Sequence, residues 1–285
     1  MSTQAFQPIL IMAACWLLAS NSTLRAGEDA REIIRRTVAA DERNWQAARN
    51  YGFSERVDAR RLDAEGRLKS KDVSSYDVLL LAGSPYRRLA TRNDHPLPPN
   101  DERKEREKLA KNIAERRKES PAQRATRLAE YVGRPDWQRE AWHELPDAFD
   151  FRLTGQETLD GTSLHVIEAT PRKEYRPQSR TARVMAQLAG KLWIDPTDYR
   201  LVKAEVRVVE TISVGLILVR LAKGSRAAFE QTMVSRDVWL PRRVQVHASA
   251  RVGLIRMLHI EQEVIYSKSR EFQADSLLVT RLGLR

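Results

Sequence analysis

The sequence predicts an α+β protein built on one curved antiparallel sheet with a single apolar face, and three observations carry that expectation. From Val238 to Val252, the residues Val238, Leu240, Val244, Val246, Ala248, Ala250 and Val252 share one parity, while Trp239, Arg243, Gln245, His247, Ser249 and Arg251 share the other. A side-chain period of two then separates an apolar face from a wet one. After Tyr199 the pattern repeats, with Val202, Ala204, Val206 and Val208 alternating against Lys203, Glu205 and Arg207. Nearer the N-terminus, Ile33, Ile34, Val38, Trp45 and Ala48 recur at helical spacing between about Glu28 and Asn50, which describes an amphipathic helix. With 285 residues and 42% hydrophobic content, the chain has the material for a core.

In chain order, the first feature is the apolar run Ile9 to Ala19, followed by a polar stretch ending Leu24-Arg25-Ala26. The run is shorter than the roughly 20 residues of a membrane span. Residues 1–26 therefore read as a secretory signal peptide with cleavage between Ala26 and Gly27, an uncleaved anchor being the alternative. Met12-Ala13-Ala14-Cys15 superficially resembles a lipoprotein processing box, but the apolar run continues past the cysteine. Cys15 is the only cysteine, so cleavage after Ala26 leaves no disulfide and no thiolate chemistry.

Residues 27–285 read as one domain. After the amphipathic helix, Tyr51 to Ala64, Leu68 to Leu81 and the stretch following Gly83-Ser84-Pro85 predict a meander of about three strands. Asn100 is positioned to cap a helix from Asp101 to Glu119 whose apolar stripe is Leu109, Ala110, Ile113 and Ala114. Ser120-Pro121 predicts a second helix towards Val132. This charged helical hairpin reads as an insertion over about 100–143, lying across the sheet. Phe149 to Leu159, the turn Asp160-Gly161 and Leu164 to Ala169 predict a β-hairpin, and Tyr175 to Ser179 a polar linker. Ile212 to Leu221 is apolar on both parities, which fits a strand covered on both sides or a loop entering a cavity or membrane.

The formal net charge is +11, which suits an anionic partner such as phospholipid head groups or lipopolysaccharide. Much of it comes from arginines and lysines scattered over the expected helix and strand faces, so the charge reads mainly as a solvated surface, and no zinc-finger, RNA-recognition or basic-zipper signature points to nucleic acid. None of His95, His143, His165, His247 and His259 forms a metal-ligand pair on a helix; His247 and His259 are potential neighbours across a hairpin. There is no Gly-x-Ser-x-Gly elbow, no phosphate-cradling glycine loop and no carboxylate pair marked as acid and base. The sequence thus gives no reason to expect an enzyme or a cofactor. Trp193 and Trp239 read as packing partners on sheet faces rather than as a stacking platform.

Gly190-Lys191-Leu192-Trp193-Ile194-Asp195, then Asp198-Tyr199-Arg200-Leu201-Val202-Lys203, and the later Val238-Trp239-Leu240-Pro241-Arg242, together with the order of signal peptide, helix and sheet, resemble the LolA-like outer-membrane lipoprotein-sorting superfamily. The resemblance is strongest from Gly190 to Tyr266 and implies a half-open β-barrel whose concave apolar face, under a helical lid, accepts acyl chains. It implies a non-enzymatic periplasmic or envelope protein that binds a lipid or a lipoprotein. An envelope-sensing or protein-interaction module of the same fold, or a peripheral protein on anionic membrane, are the alternatives. If the apolar parity lines the cavity, the ligand-contacting residues are Val206, Val208, Val244 and Val246, with Phe229 and Met233 on the intervening strand.

Overall fold

A computed structural model describes residues 29–132, 136–214, 219–252 and 256–271. The expected signal peptide, Cys15 and the Ala26/Gly27 cleavage point lie outside the described residues, as do residues 215–218 of the doubly apolar segment. The chain runs α1 (Ala30–Ala48), then a meander of β1 (Tyr51–Leu62), β2 (Leu68–Leu81), β3 (Ser84–Arg92) and the short β4 (His95–Pro96). Three helices follow, α2 (Pro99–Lys118), α3 (Pro121–Val132) and α4 (Asp136–Ala148), and then the hairpin β5 (Phe149–Leu159) and β6 (Thr162–Pro171). A short α5 (Arg180–Met185) leads to β7 (Leu188–Ile194), β8 (Leu201–Val208), β9 (Ile212–Val214), β10 (Val219–Leu221), β11 (Arg226–Ser235), β12 (Val238–Val252) and β13 (Arg256–Glu271).

All strand pairs are antiparallel and join one 13-stranded sheet in the order β4-β3-β2-β1-β13-β12-β11-β8-β7-β6-β5, with β10 on β12 and β9 on β10. The ladder is open: its two ends, β4 and β5, do not pair. Closure of the early meander onto the late strands comes from β1, which pairs with β13 from Tyr51↔Glu271 to Leu62↔His259. The result is the α+β, half-open architecture that the LolA-like resemblance implied.

The largest cluster of the core lies on one face of the sheet. In α1, the fully buried Ile33 and Ile34 pack with Ile167, Ile194 and Leu201, and Leu192, Ala204 and Phe229 close around them. Further along α1, Ala47 and Ala48 pack on Val238 and Leu240. Asn44 fastens that end: its Nδ2 donates to the Trp239 carbonyl at 2.8 Å and its Oδ1 accepts from the Trp239 N–H at 2.9 Å. A helix side chain thereby completes the hydrogen bonding of a strand residue, as buried backbone groups require. Gly190 is needed for close packing of β7 on β8, because a Cβ there would stand 2.5 Å from the Glu205 carbonyl oxygen.

Two local expectations change. Pro98 rather than Asn100 occupies the N-cap of α2, with no side-chain cap, because Pro99 already supplies a preset first residue. The buried side of α2 is Glu105 and Leu109, whereas Ala110 and Ala114 are exposed. Glu105 accepts from the Leu89 N–H at 3.4 Å, and Arg116 donates to the carbonyls of Leu81, Ser84 and Pro85, so α2 is held along β3 by polar anchors in place of an apolar seam. The start of α3 is as the sequence predicts, with a reciprocal cap: Ser120 Oγ accepts from Gln123 N, and Gln123 Oε1 accepts from Ser120 N.

Candidate functional site

Registered pairing fixes which side chains share a face. Leu192, Ala204, Phe229, Val244 and Val264 stand opposite one another across β7, β8, β11, β12 and β13. Because the first three pack against the α1 core, the row lies on the helix-bearing face. Two residues along, the next row on that face is Gly190, Val206, Ala227, Val246 and Gln262. Beyond it stand Ala248 opposite Ile260 and Ala250 opposite Leu258. α1 meets β12 at its Val238–Leu240 end, so the later rows lie past it. There Val246, Ala248, Ala250, Leu258 and Ile260 are half-buried, not fully covered.

Of the six expected contact residues, Val206, Val208, Phe229, Val244 and Val246 share this face. Phe229 packs against the α1 core and Val208 is buried, which leaves Val206, Val244 and Val246 on the half-covered part. Met233 is not with them. The pairing skips Arg242, so that Glu230 faces Arg243 while Gln231 faces Pro241, and this bulge breaks the parity that connects Phe229 to Met233. Met233 stands opposite Trp239 and is 60% exposed. A second bulge, where Trp193 pairs with Lys203 but Ile194 with Leu201, sends Val202 to the cluster of Leu164, Val166 and Trp193. Val202 and Ala204 therefore serve opposite faces despite their shared parity.

A cavity of about 590 Å3 opens on the other face. Most of the residues around it belong to the alternate parity, Lys191, Glu205, Arg207, Arg226, Gln245 and His247 over the small Ala189 and Ala228, while Ala169, Gly190, Val206 and Ala227 of the first parity also border it. Val206 is the one expected residue that borders it, and Val246 does not, although Gln245 and His247 on either side do. A second cavity of about 100 Å3 shares Gln245 and His247 and continues to Asp58, Arg60, Glu261 and Glu263. In that second cavity the acids are partnered. Asp58 is contacted by Arg60 at 3.0 Å and Lys71 at 3.3 Å, Glu263 by Arg243, and Glu261 by His247 at 3.4 Å. Burial pushes the Asp58 carboxyl up, and hydrogen bonds from Arg60 and Lys71 outweigh it, holding the group below the usual carboxylate range.

The two histidines that topology brings close each have a separate partner. His259 Nδ1 lies 2.8 Å from Ser249 Oγ, while His247 faces Glu261. Among the described residues no group of three or more His, Cys, Asp or Glu could hold a metal ion. Trp193 is a packing residue: it is buried, donates Nε1–H to Glu157 at 2.8 Å and lies under the Lys203 ammonium. No described helix is long and apolar enough to cross a membrane.

No family model and no curated protein matches the chain. Among solved structures, it is similar to a LolA superfamily protein from Nitrosomonas europaea, with 11% identity over 86% of this chain and 94% of that one and a TM-score of 0.34. It is also similar to an outer-membrane lipoprotein-sorting protein domain from Vibrio parahaemolyticus, with 13% identity, 88% and 97% coverage and a TM-score of 0.36. A chain of the MucA/MucB complex of Pseudomonas aeruginosa aligns at 12% identity, 86% and 99% coverage and a TM-score of 0.25. At these scores the overlaps carry no argument about ligand, partner or activity. What this chain shares with its sequence resemblance is architecture: an open antiparallel sheet with a core-forming helix across one face.

Proposed function

We propose that this chain is a non-enzymatic protein of the periplasm or cell envelope that takes up an acyl chain, carried by a lipid or by the lipid-modified terminus of a lipoprotein. The observation that carries the reading is the half-covered apolar strip of Val246, Ala248, Ala250, Leu258 and Ile260, beyond the reach of α1 on the face where α1 builds its core. An apolar surface left half-wet inside a curved sheet favours an apolar occupant. Each methylene buried there contributes about 0.8 kcal/mol, so binding needs no covalent chemistry.

The variant Val246→Glu tests the reading. At a half-covered site the carboxylate stays hydrated, and the protein is expected to unfold cooperatively near the wild-type temperature while fluorescent fatty-acyl binding falls by at least about tenfold. Undiminished acyl binding by a folded variant would remove the assignment. Loss of folding would show a dry packed core instead, since an unpaired buried carboxylate is among the most destabilising changes. Native mass spectrometry of protein from the cell envelope gives a second check: co-purifying lipid supports this reading, and a stoichiometric protein partner supports an interaction module.

A further inference from the structure

The face opposite α1 holds cations that the fold does not neutralise. Arg207 and Arg226 stand directly opposite one another on β8 and β11, and Arg226 stands opposite His247 on β12. Like charges facing one another across an antiparallel pair are destabilising. Among the described residues neither guanidinium, nor the nearby Lys191 ammonium, forms an ion pair, although acidic groups border the same cavity. Glu205 is held by Lys203 at 2.7 Å and Glu168 by Arg152. Both acids stand opposite Lys191 in the strand register, yet each forms its ion pair with another cation, which leaves Arg207 and Arg226 without an acidic partner. In the adjoining smaller cavity the acids do have cationic partners, so of the two cavities only the larger is bordered by arginines without an acidic partner.

From this we infer that the cleft is an oxyanion site for a phosphate monoester or diester, distinct from the acyl strip. Two guanidinium forks meet tetrahedral oxygens with paired, charge-assisted hydrogen bonds, which a diffuse basic surface does not provide. Lys191 adds a third positive charge, and the Ala189 and Ala228 floor leaves room for an uncharged body beside the phosphate. The volume of about 590 Å3 matches that of small-molecule sites. An anion bound here also relieves the repulsion between Arg207 and Arg226.

The test uses the full chain with two probes, glycerol phosphate in solution and vesicles of phosphatidylglycerol in phosphatidylcholine, at fixed ionic strength. The paired variant Arg207→Gln with Arg226→Gln is expected to weaken binding by at least about tenfold. A control with the same charge loss, Arg106→Gln with Arg117→Gln on the exposed side of α2, should change it less than about twofold, because distant exposed charges are screened. Binding of glycerol phosphate assigns the site to soluble esters; vesicle binding alone, lost in the paired variant, assigns it to a lipid headgroup. In phosphate-free buffer the paired variant should melt at or above the wild-type temperature, and the single Arg226→Gln should do the same. A lowered melting temperature in both would show that the arginines serve the fold, and no binding of either probe, or equal loss in the control, would show only diffuse charge; each overturns the proposal.

Discussion

Single residues decide where the sheet's alternation can be trusted. A period of two placed Val206, Val244 and Val246 together, because β8, β11 and β12 run in unbroken register between them. It failed at Val202 and Met233 because one skipped residue reverses every side chain beyond it, and neither bulge has a marker that composition displays. Asn44 was equally invisible, since a polar residue on a helix among Arg and Glu reads as solvated surface; in the fold it is buried and completes both backbone hydrogen bonds of Trp239. Asn44→Ala is therefore expected to cost about 1–3 kcal/mol, the penalty of leaving partly buried backbone groups unsatisfied. Urea unfolding should show a lower midpoint with an unchanged slope, and a midpoint within error of wild type would mean that water replaces the side chain freely.

At the scale of elements, strands and the first helix were legible, and the connections between them were not. Alternation and turn residues located β1, β2, β5 and β6 within a few residues of their observed bounds. α4 was missed because Pro146 falls inside it, a residue that ordinarily marks the end of a helix. α5 was missed because six residues are too few for an apolar period to declare itself. What joins these two short helices is polar: Glu144 of α4 accepts hydrogen bonds from the Tyr175 hydroxyl and from Ser179, whose Oγ caps α5 through the Ala182 N–H. Burial, reinforced by the bond to Glu144, pushes the Tyr175 phenol from 10.0 up to about 12. Since the fold favours the neutral phenol, its contribution is fully present below pH 10 and is lost as pH rises towards about 12. The stability difference between wild type and Tyr175→Phe should accordingly stay constant below pH 10 and shrink above it, and a difference that persists unchanged in strong alkali would show that the hydroxyl is not what holds the helices.

At the scale of the whole molecule the two proposed sites lie on opposite faces of the sheet, and the sequence pointed to one of them. Its alternating strands and family resemblance led to the apolar face under α1, whereas the net charge of +11 gave no hint of where unneutralised cations gather. That depends on which strands are neighbours: Arg207 and Arg226 meet only because β8 pairs with β11, with β9 and β10 leaving the main path to pair elsewhere. The two proposed sites share backbone and meet at Val206, which stands on the apolar face and borders the cleft, but the strip from Val246 to Ile260 and the paired arginines have no side chain in common. Changes on one face are then expected to leave the other untouched, as for sites without shared partners. Val246→Glu should abolish acyl uptake and retain glycerol phosphate or anionic-vesicle binding, whereas the paired arginine variant should do the reverse. Saturating the cleft with phosphate ester should shift the acyl Kd by less than about twofold, read by fluorescence titration at constant ionic strength. A shift of about tenfold, which is a coupling of about 1.4 kcal/mol, would mean that the curvature of the shared strands links the faces and that an anion on one side tunes the apolar strip on the other.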